Sequence, residues 1–294
     1  MGEAARTAFV LAGGGSLGAI QVGMLRALVE HGVQPDLVIG TSVGAINAAY
    51  FSADPTASGV EQLAAVWREM RRDQVFPVSP WQGLLGLIGR KPSLVDPSAL
   101  RALLERRLPI RRLEDARVPC HVIATDLLDG TERCLSSGPA AEALLASAAI
   151  PAIFPPVAWE GHFLVDGGVT NNTPIAAAAR LGATRIVVLP TGAPCALAEA
   201  PRGALAVALQ SLSLLIANQL GLDAVRHATQ CAIAIVPPLC PLDVAVHDFS
   251  RASELIERGY EAAHRWIEAG GLTRGGAPFD FSPHVHAAPI AFAT

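Results

Sequence analysis

The chain of 294 residues is long enough to bury a substantial core, and one large α/β domain accounts for it better than two small ones. Hydrophobic residues make up 51% and charged residues only 16%, which excludes a disordered chain. A net charge of −4, with basic residues scattered along the chain, excludes a nucleic-acid footprint and an electrostatic membrane anchor, so any lipid contact has to be apolar.

Thr7 to Ala12 is an apolar run that stops at three glycines, and Gly18 to Glu30 then has helical spacing with Ile20, Met24, Leu25 and Leu28 on one face. Gly32 and Pro35 close that helix. Leu37 to Gly40 reads as a second buried strand that turns at Ser42 into a helix from Val43 to about Ser52. Two strand-to-helix units in about fifty residues predict a parallel sheet. Gly59 to Arg72 is the next expected helix, with Leu63, Val66 and Trp67 inward. Residues 73–96 are punctuated by Pro and Gly, yet contain Trp81, Leu84, Leu85, Leu87 and Ile88 between basic pairs. This stretch is either a connector packed on the core or a lid or lipid-docking insertion.

Pro97 to Arg107 reads as a short helix, Pro119 to Asp126 as a buried strand, and Asp129-Gly130 as a turn returning through Thr131 to Leu135. Ala140 to Ala149 is a small-residue helix ended by Ile150-Pro151, and Phe154-Pro155-Pro156 is extended. A second hairpin follows, Val157 to Trp159 and Phe163 to Val165, whose returning arm delivers Asp166-Gly167-Gly168. Thr173-Pro174 starts a helix, Thr184 to Leu189 is a strand, Ala204 to about His227 a long helix and Cys231 to Val236 a strand. A helix from about Arg251 to Ala269 ends the pattern at Gly270-Gly271. Residues 1–270 are expected to form a single catalytic domain and 271–294 a tail. The run from Ala204 to Leu220 carries Gln210, Ser211, Ser213, Asn218 and Gln219, which predicts a buried or amphipathic helix in place of a membrane span. Met1 to Arg6 has neither n-region nor h-region of a secretory signal, so a cytoplasmic chain is expected. Five cysteines, widely spaced and without a Cys-x-x-Cys pair, predict reduced structural thiols.

Gly40-Thr-Ser-Val-Gly44 is the Gly-x-Ser-x-Gly pattern of a nucleophile elbow. The serine sits on a cramped turn, and the flanking glycines let helix and strand pack closely beneath it. Gly13-Gly14-Gly15-Ser16-Leu17-Gly18 has two readings, both of which use backbone N–H groups at a helix N-terminus to hold negative charge. As a dinucleotide loop it has the Gly-x-Gly-x-x-Gly spacing, but the acid Asp36 stands at the wrong end of strand two. As an oxyanion hole it reaches the same sheet edge as Ser42, and Gly14 and Gly15 face the carbonyl under attack. Asp166 ends an apolar strand before two glycines, well placed as a base for Ser42, whereas none of the eight histidines stands in a motif that singles it out.

The glycine loop, Gly40-Thr-Ser-Val-Gly44 and Asp166-Gly-Gly168, in this order, resemble the patatin-like phospholipase family. Ala146-Ser-Ala-Ala-Ile-Pro-Ala-Ile-Phe-Pro-Pro156, Ala124-Thr-Asp-Leu127 and Asp248-Phe-Ser-Arg251 also resemble its bacterial members, so the likeness covers roughly residues 7 to 268. It implies a three-layer α/β fold, with a central, mostly parallel sheet and helices on both faces. It also implies hydrolysis of phospholipid or other acyl-lipid esters by a Ser/Asp dyad, with no histidine, metal or other cofactor. Carried over, Ser42 is the nucleophile, Asp166 the base, and Gly13, Gly14 and Gly15 line the oxyanion hole. Gly40, Gly44, Gly167 and Gly168 support the two motifs. The expected partner is a lipid or acyl ester, with peripheral membrane contact. Many relatives carry Arg or Lys where this chain has Leu17, a departure that bears on phospholipid headgroup binding more than on ester cleavage and leaves a neutral ester as a substrate.

Two alternatives stand beside this reading. One is an α/β-hydrolase triad of Ser42, Asp126 and either His162 or His247. The other is a binding module without hydrolytic activity, either a nucleotide site at Gly13 to Gly18 or a lipid-binding regulator.

Overall fold

The computed structural model describes residues 5–77, 93–192, 200, 203–242 and 244–273. Of the stretch expected to form a lid or docking insertion, residues 78–92 lie outside the described residues, as do 274–294 of the expected tail.

The strands are β1 (Thr7–Leu11), β2 (Leu37–Thr41), β3 (Cys120–Asp126), β4 (Glu132–Leu135), β5 (Val157–Trp159), β6 (His162–Asp166), β7 (Arg185–Leu189) and β8 (Ala232–Ile235). They form one eight-stranded sheet in the order β5-β6-β3-β2-β1-β7-β8, with β4 also paired to β3. β3, β2, β1, β7 and β8 run parallel, whereas β4, β5 and β6 join antiparallel. The helices are α1 (Gly18–Glu30), α2 (Val43–Ala53), α3 (Ala57–Glu69), α4 (Arg72–Val75), α5 (Ser98–Arg107), α6 (Ala140–Ser147), α7 (Gly168–Asn171), α8 (Ile175–Arg180), α9 (Ala204–His227) and α10 (Ala252–Glu268). Most boundaries fall within two residues of expectation. α3 starts and stops earlier because the Thr56 hydroxyl accepts the Gly59 amide at 3.3 Å and Met70 turns extended.

Alternation along the strands divides the core into two layers. Phe9, Leu11, Val38, Val122, Ala124, Val187 and Leu189 pack with α1, α2, α3, α5, α6 and α10 on one face. Ala8, Val10, Leu37, Ile39, Ile123, Ile186 and Val188 pack with α8 and Leu220 of α9 on the other. The three-layer arrangement expected from the sequence is the one observed.

A junction on β3 positions the site. β4 pairs with β3 over Val122 to Thr125, whereas β2 pairs over Cys120 to Ile123 and β6 over Ala124 to Asp126. A strand has two edges and β4 occupies one of them, so β2 and β6 follow each other along the other. Thr41 lies opposite Ile123 and Asp166 opposite the next residue, Ala124, so the C-terminal ends of two strands meet head-on.

Candidate active site

Ser42 follows β2 with φ 55° and ψ −126°, a conformation that side chains other than glycine rarely adopt and that costs about 1–3 kcal/mol. Close packing on both sides maintains it. Gly40 lies against the Gly44 carbonyl, and Gly44 against the carbonyls of Leu11 and Ala12, so a side chain at either position would collide with backbone. The Ser42 amide donates to Ser147 Oγ at 2.8 Å, and Ser147 Oγ in turn donates to the Ile123 carbonyl at 2.5 Å, locking the elbow to α6 and β3.

Asp166 is 7% exposed and Ser42 8%. The Asp166 carboxylate accepts the Gly168 amide at 2.7 Å and meets the Ser42 hydroxyl. Burial pushes its pKa up to about 6, the Gly168 amide hydrogen bond and the nearby Ser42 hydroxyl opposing the shift. The main chain at Asp166 is fixed through its carbonyl, which accepts Thr125 Oγ1 at 3.0 Å. Gly167 lies against the Ile123 carbonyl with no room for a Cβ.

The three glycines of the first loop are not equivalent. The Gly13 amide donates to the Asn172 carbonyl at 3.1 Å, so Gly13 lines the site beside Ser42 but has no free donor. Of the three glycines expected to line the oxyanion hole, Gly13 thus has its own amide engaged. The Gly14 and Gly15 amides have no acceptor among the described residues. Gly15 has φ +60° and lies against the Val246 carbonyl, a position that only glycine fills without strain. Among the described residues, no hydrogen bond joins either histidine of the alternative triad to Ser42 or Asp166. His162 Nδ1 is 2.6 Å from Asp126 Oδ2, but His162 stands four residues before Asp166 on β6, about 13 Å along the strand. The Leu128 amide, His162 and Arg133 together hold the Asp126 carboxyl below the usual range. His247 is exposed.

Ser42 and Gly15 open onto an apolar pocket walled by α2, α3 and α5, with Ile46, Trp67, Leu103 and Phe249 among its lining. Leu17 is buried in the core, so it puts no charge at the glycine loop. Among the described residues, no three His, Cys, Asp or Glu side chains are grouped so as to hold a metal ion.

Residues 9–179, more than half of the chain and inclusive of the glycine loop, Ser42 and Asp166, match the model of the patatin-like phospholipase family. The chain belongs to that family. The patatin-like phospholipase domain-containing protein 6 of Mus musculus is 32% identical over 187 residues, 63% of this chain and 13% of that protein. Neuropathy target esterase sws of Drosophila melanogaster is 28% identical over 186 residues, 62% of this chain and 13% of its own length. The patatin-like chain thus spans about 13% of the length of these curated relatives. The human GIVD cytosolic phospholipase A2 structure superposes with a TM-score of 0.50 at 11% identity, over 91% of this chain and 59% of that one, a likeness of fold.

Several residues that hold this patatin-like site carried no motif. Asn172 Nδ2 and Thr191 Oγ1 donate to the Gly13 carbonyl at 3.3 and 2.7 Å, and the Ser16 amide donates to the Val246 carbonyl at 2.8 Å. A buried relay lies behind the loop. Trp67 Nε1 donates to Asn47 Oδ1 and Asn47 Nδ2 to Gln21 Oε1, while Gln21 Nε2 donates to the carbonyls of Ala12 and Leu189, all within 2.9 Å. The signal available in the sequence was polarity at positions where the helix period calls for apolar residues: Gln21, Asn47 and Ser147 are fully buried.

Proposed function

We propose that the protein hydrolyses acyl-lipid esters through a Ser42/Asp166 dyad. The observation that carries this reading is the approach of the two buried side chains to each other, with Ser42 lining an apolar pocket. Asp166 takes the Ser42 proton as Oγ attacks the acyl carbonyl, and the Gly14 and Gly15 amides hold the oxyanion. The tetrahedral intermediate collapses, the leaving alcohol takes the proton from Asp166, and Ser42 is left acylated. Asp166 then draws a proton from water, which attacks the acyl-serine and releases the fatty acid and Ser42. A carboxylate titrating near 6 suits a base that works at neutral pH better than one near 4 does. With Leu17 buried and no cation on the loop, the expected substrates include neutral acyl esters as well as phospholipids.

Ser42→Ala and Asp166→Asn are each expected to abolish turnover of a 4-nitrophenyl acyl ester while leaving the fold intact. Retained activity in either variant overturns the dyad. The alternative triad makes the opposite forecast for Asp126 and His162, whose 2.6 Å contact is its best support. In the dyad mechanism, replacing either leaves turnover within a few-fold of wild type, and no single histidine is essential.

A further inference from the structure

Tyr50 lies on α2 two turns beyond the nucleophile and lines the same pocket as Ser42, with Ile46 between them. Positions 42, 46 and 50 fall on one helix face, and eight residues span about 12 Å. The Tyr50 side chain is 8% exposed, and its hydroxyl, out of contact with solvent, has no hydrogen-bond partner among the described residues. The pocket walls around it are apolar: Leu63, Leu103, Leu104 and Val75 offer nothing to pair with, the Trp67 indole N–H is committed to Asn47, and Arg107, whose charge acts on the phenol, makes no hydrogen bond to it and pairs with Glu69. A buried hydroxyl without a partner carries a desolvation cost that phenylalanine would avoid while filling the same space. Burial also raises the phenol well above its usual pKa, so it stays protonated and able to donate at every physiological pH.

We propose that the Tyr50 hydroxyl recognises an oxygen function on the acyl chain, which makes mid-chain-oxygenated fatty acyl esters the preferred substrate class. Two helical turns separate the Cα atoms of residues 42 and 50, and a zigzag chain advances roughly 1.3 Å per carbon, so a ten-carbon acyl chain is long enough to bring an oxygen function to the phenol. A hydroxyl, ketone or epoxide there pairs with the Tyr50 hydroxyl, whereas a saturated chain leaves it unpaired. The proposal rests on the Ser42/Asp166 reading for where the ester sits.

Two measurements test it. In the first, Ser42→Ala protein, with and without Tyr50→Phe, is titrated with methyl decanoate and methyl 10-hydroxydecanoate by calorimetry. The affinity ratio of hydroxy ester to plain ester is expected to fall about three- to tenfold when the Tyr50 hydroxyl is removed. In the second, wild type and Tyr50→Phe are compared on 4-nitrophenyl decanoate and 10-hydroxydecanoate. The ratio of kcat/KM for the hydroxy ester to that for decanoate is expected to fall by the same factor. An unchanged ratio in the binding arm overturns the proposal whether or not the protein is a hydrolase. Failure of both esters to turn over, with the binding ratio shifted, overturns the dyad reading and leaves the Tyr50 site standing. The melting temperature of Tyr50→Phe is expected to equal or exceed that of wild type; a large drop would mean that the hydroxyl has a structural partner and would overturn the proposal.

Discussion

At the residue scale, Asp166 links the proposed activity to stability. The folded chain holds the Asp166 proton up to about pH 6, whereas the unfolded chain releases it near 3.9. Between these values only the folded state binds the proton. The stabilising contribution is therefore present in full below about pH 4 and is lost as pH rises through 6, a loss of roughly 3 kcal/mol at neutrality. Asp166→Asn is accordingly expected to raise the melting temperature at pH 8, with the gain shrinking as pH falls through 6, while turnover is lost. In the wild type, kcat/KM is expected to rise with pH through about 6 and then level off. A Tm difference independent of pH would contradict the buried-carboxylate account. Ser147 acts differently. Replacing it with Ala strands the buried Ser42 amide and Ile123 carbonyl, each at a cost of about 1–3 kcal/mol. Urea unfolding is expected to detect that loss, together with a lower kcat as the elbow loosens.

At the element scale, close backbone contact holds the strand ends at the candidate site in place. Gly44 lets α2 approach the end of β1 so closely that a methyl group has nowhere to go. Gly44→Ala is expected to cost at least the 1–3 kcal/mol typical of overpacking, because carbonyls yield less than side chains; denaturation midpoints measure it. α1 and α10 interlock in the same way: Gly23 lies against the Ile256 carbonyl and Gly259 against the Ile20 carbonyl. The paired helices anchor α1, whose N-terminus follows the glycine loop.

At the scale of the whole molecule, the family match ends at residue 179, but the architecture does not. β7 pairs with β1 along its whole length, and the Ala12 amide donates to the Leu189 carbonyl at 3.1 Å. Val246, farther along the chain, accepts from the glycine loop. A fragment ending at residue 184 leaves β1 as an edge strand and uncovers the α1 face that α10 buries. It is expected to show no cooperative thermal transition by circular dichroism, whereas the full chain shows one.

What the sequence determined by itself was local. The 2.0 and 3.6 periods marked strands and helices, the two glycine motifs and Asp166-Gly-Gly168 marked the candidate site, and the resemblance supplied their roles as expectations. These signals are legible because each depends on residues close together in the chain. The tertiary structure alone decided that β2 and β6 share one edge of β3, which brings residues 124 positions apart into contact. It also separated Gly13 from Gly14 and Gly15, since the acceptor of the Gly13 amide comes from Asn172. It assigned Ser147, Gln21, Asn47 and Thr191 to the support of the site, and gave Tyr50 a place in the pocket wall. A buried polar side chain gets its meaning from the partner it meets, and that partner is supplied by a distant part of the chain, where no local period or motif can announce it.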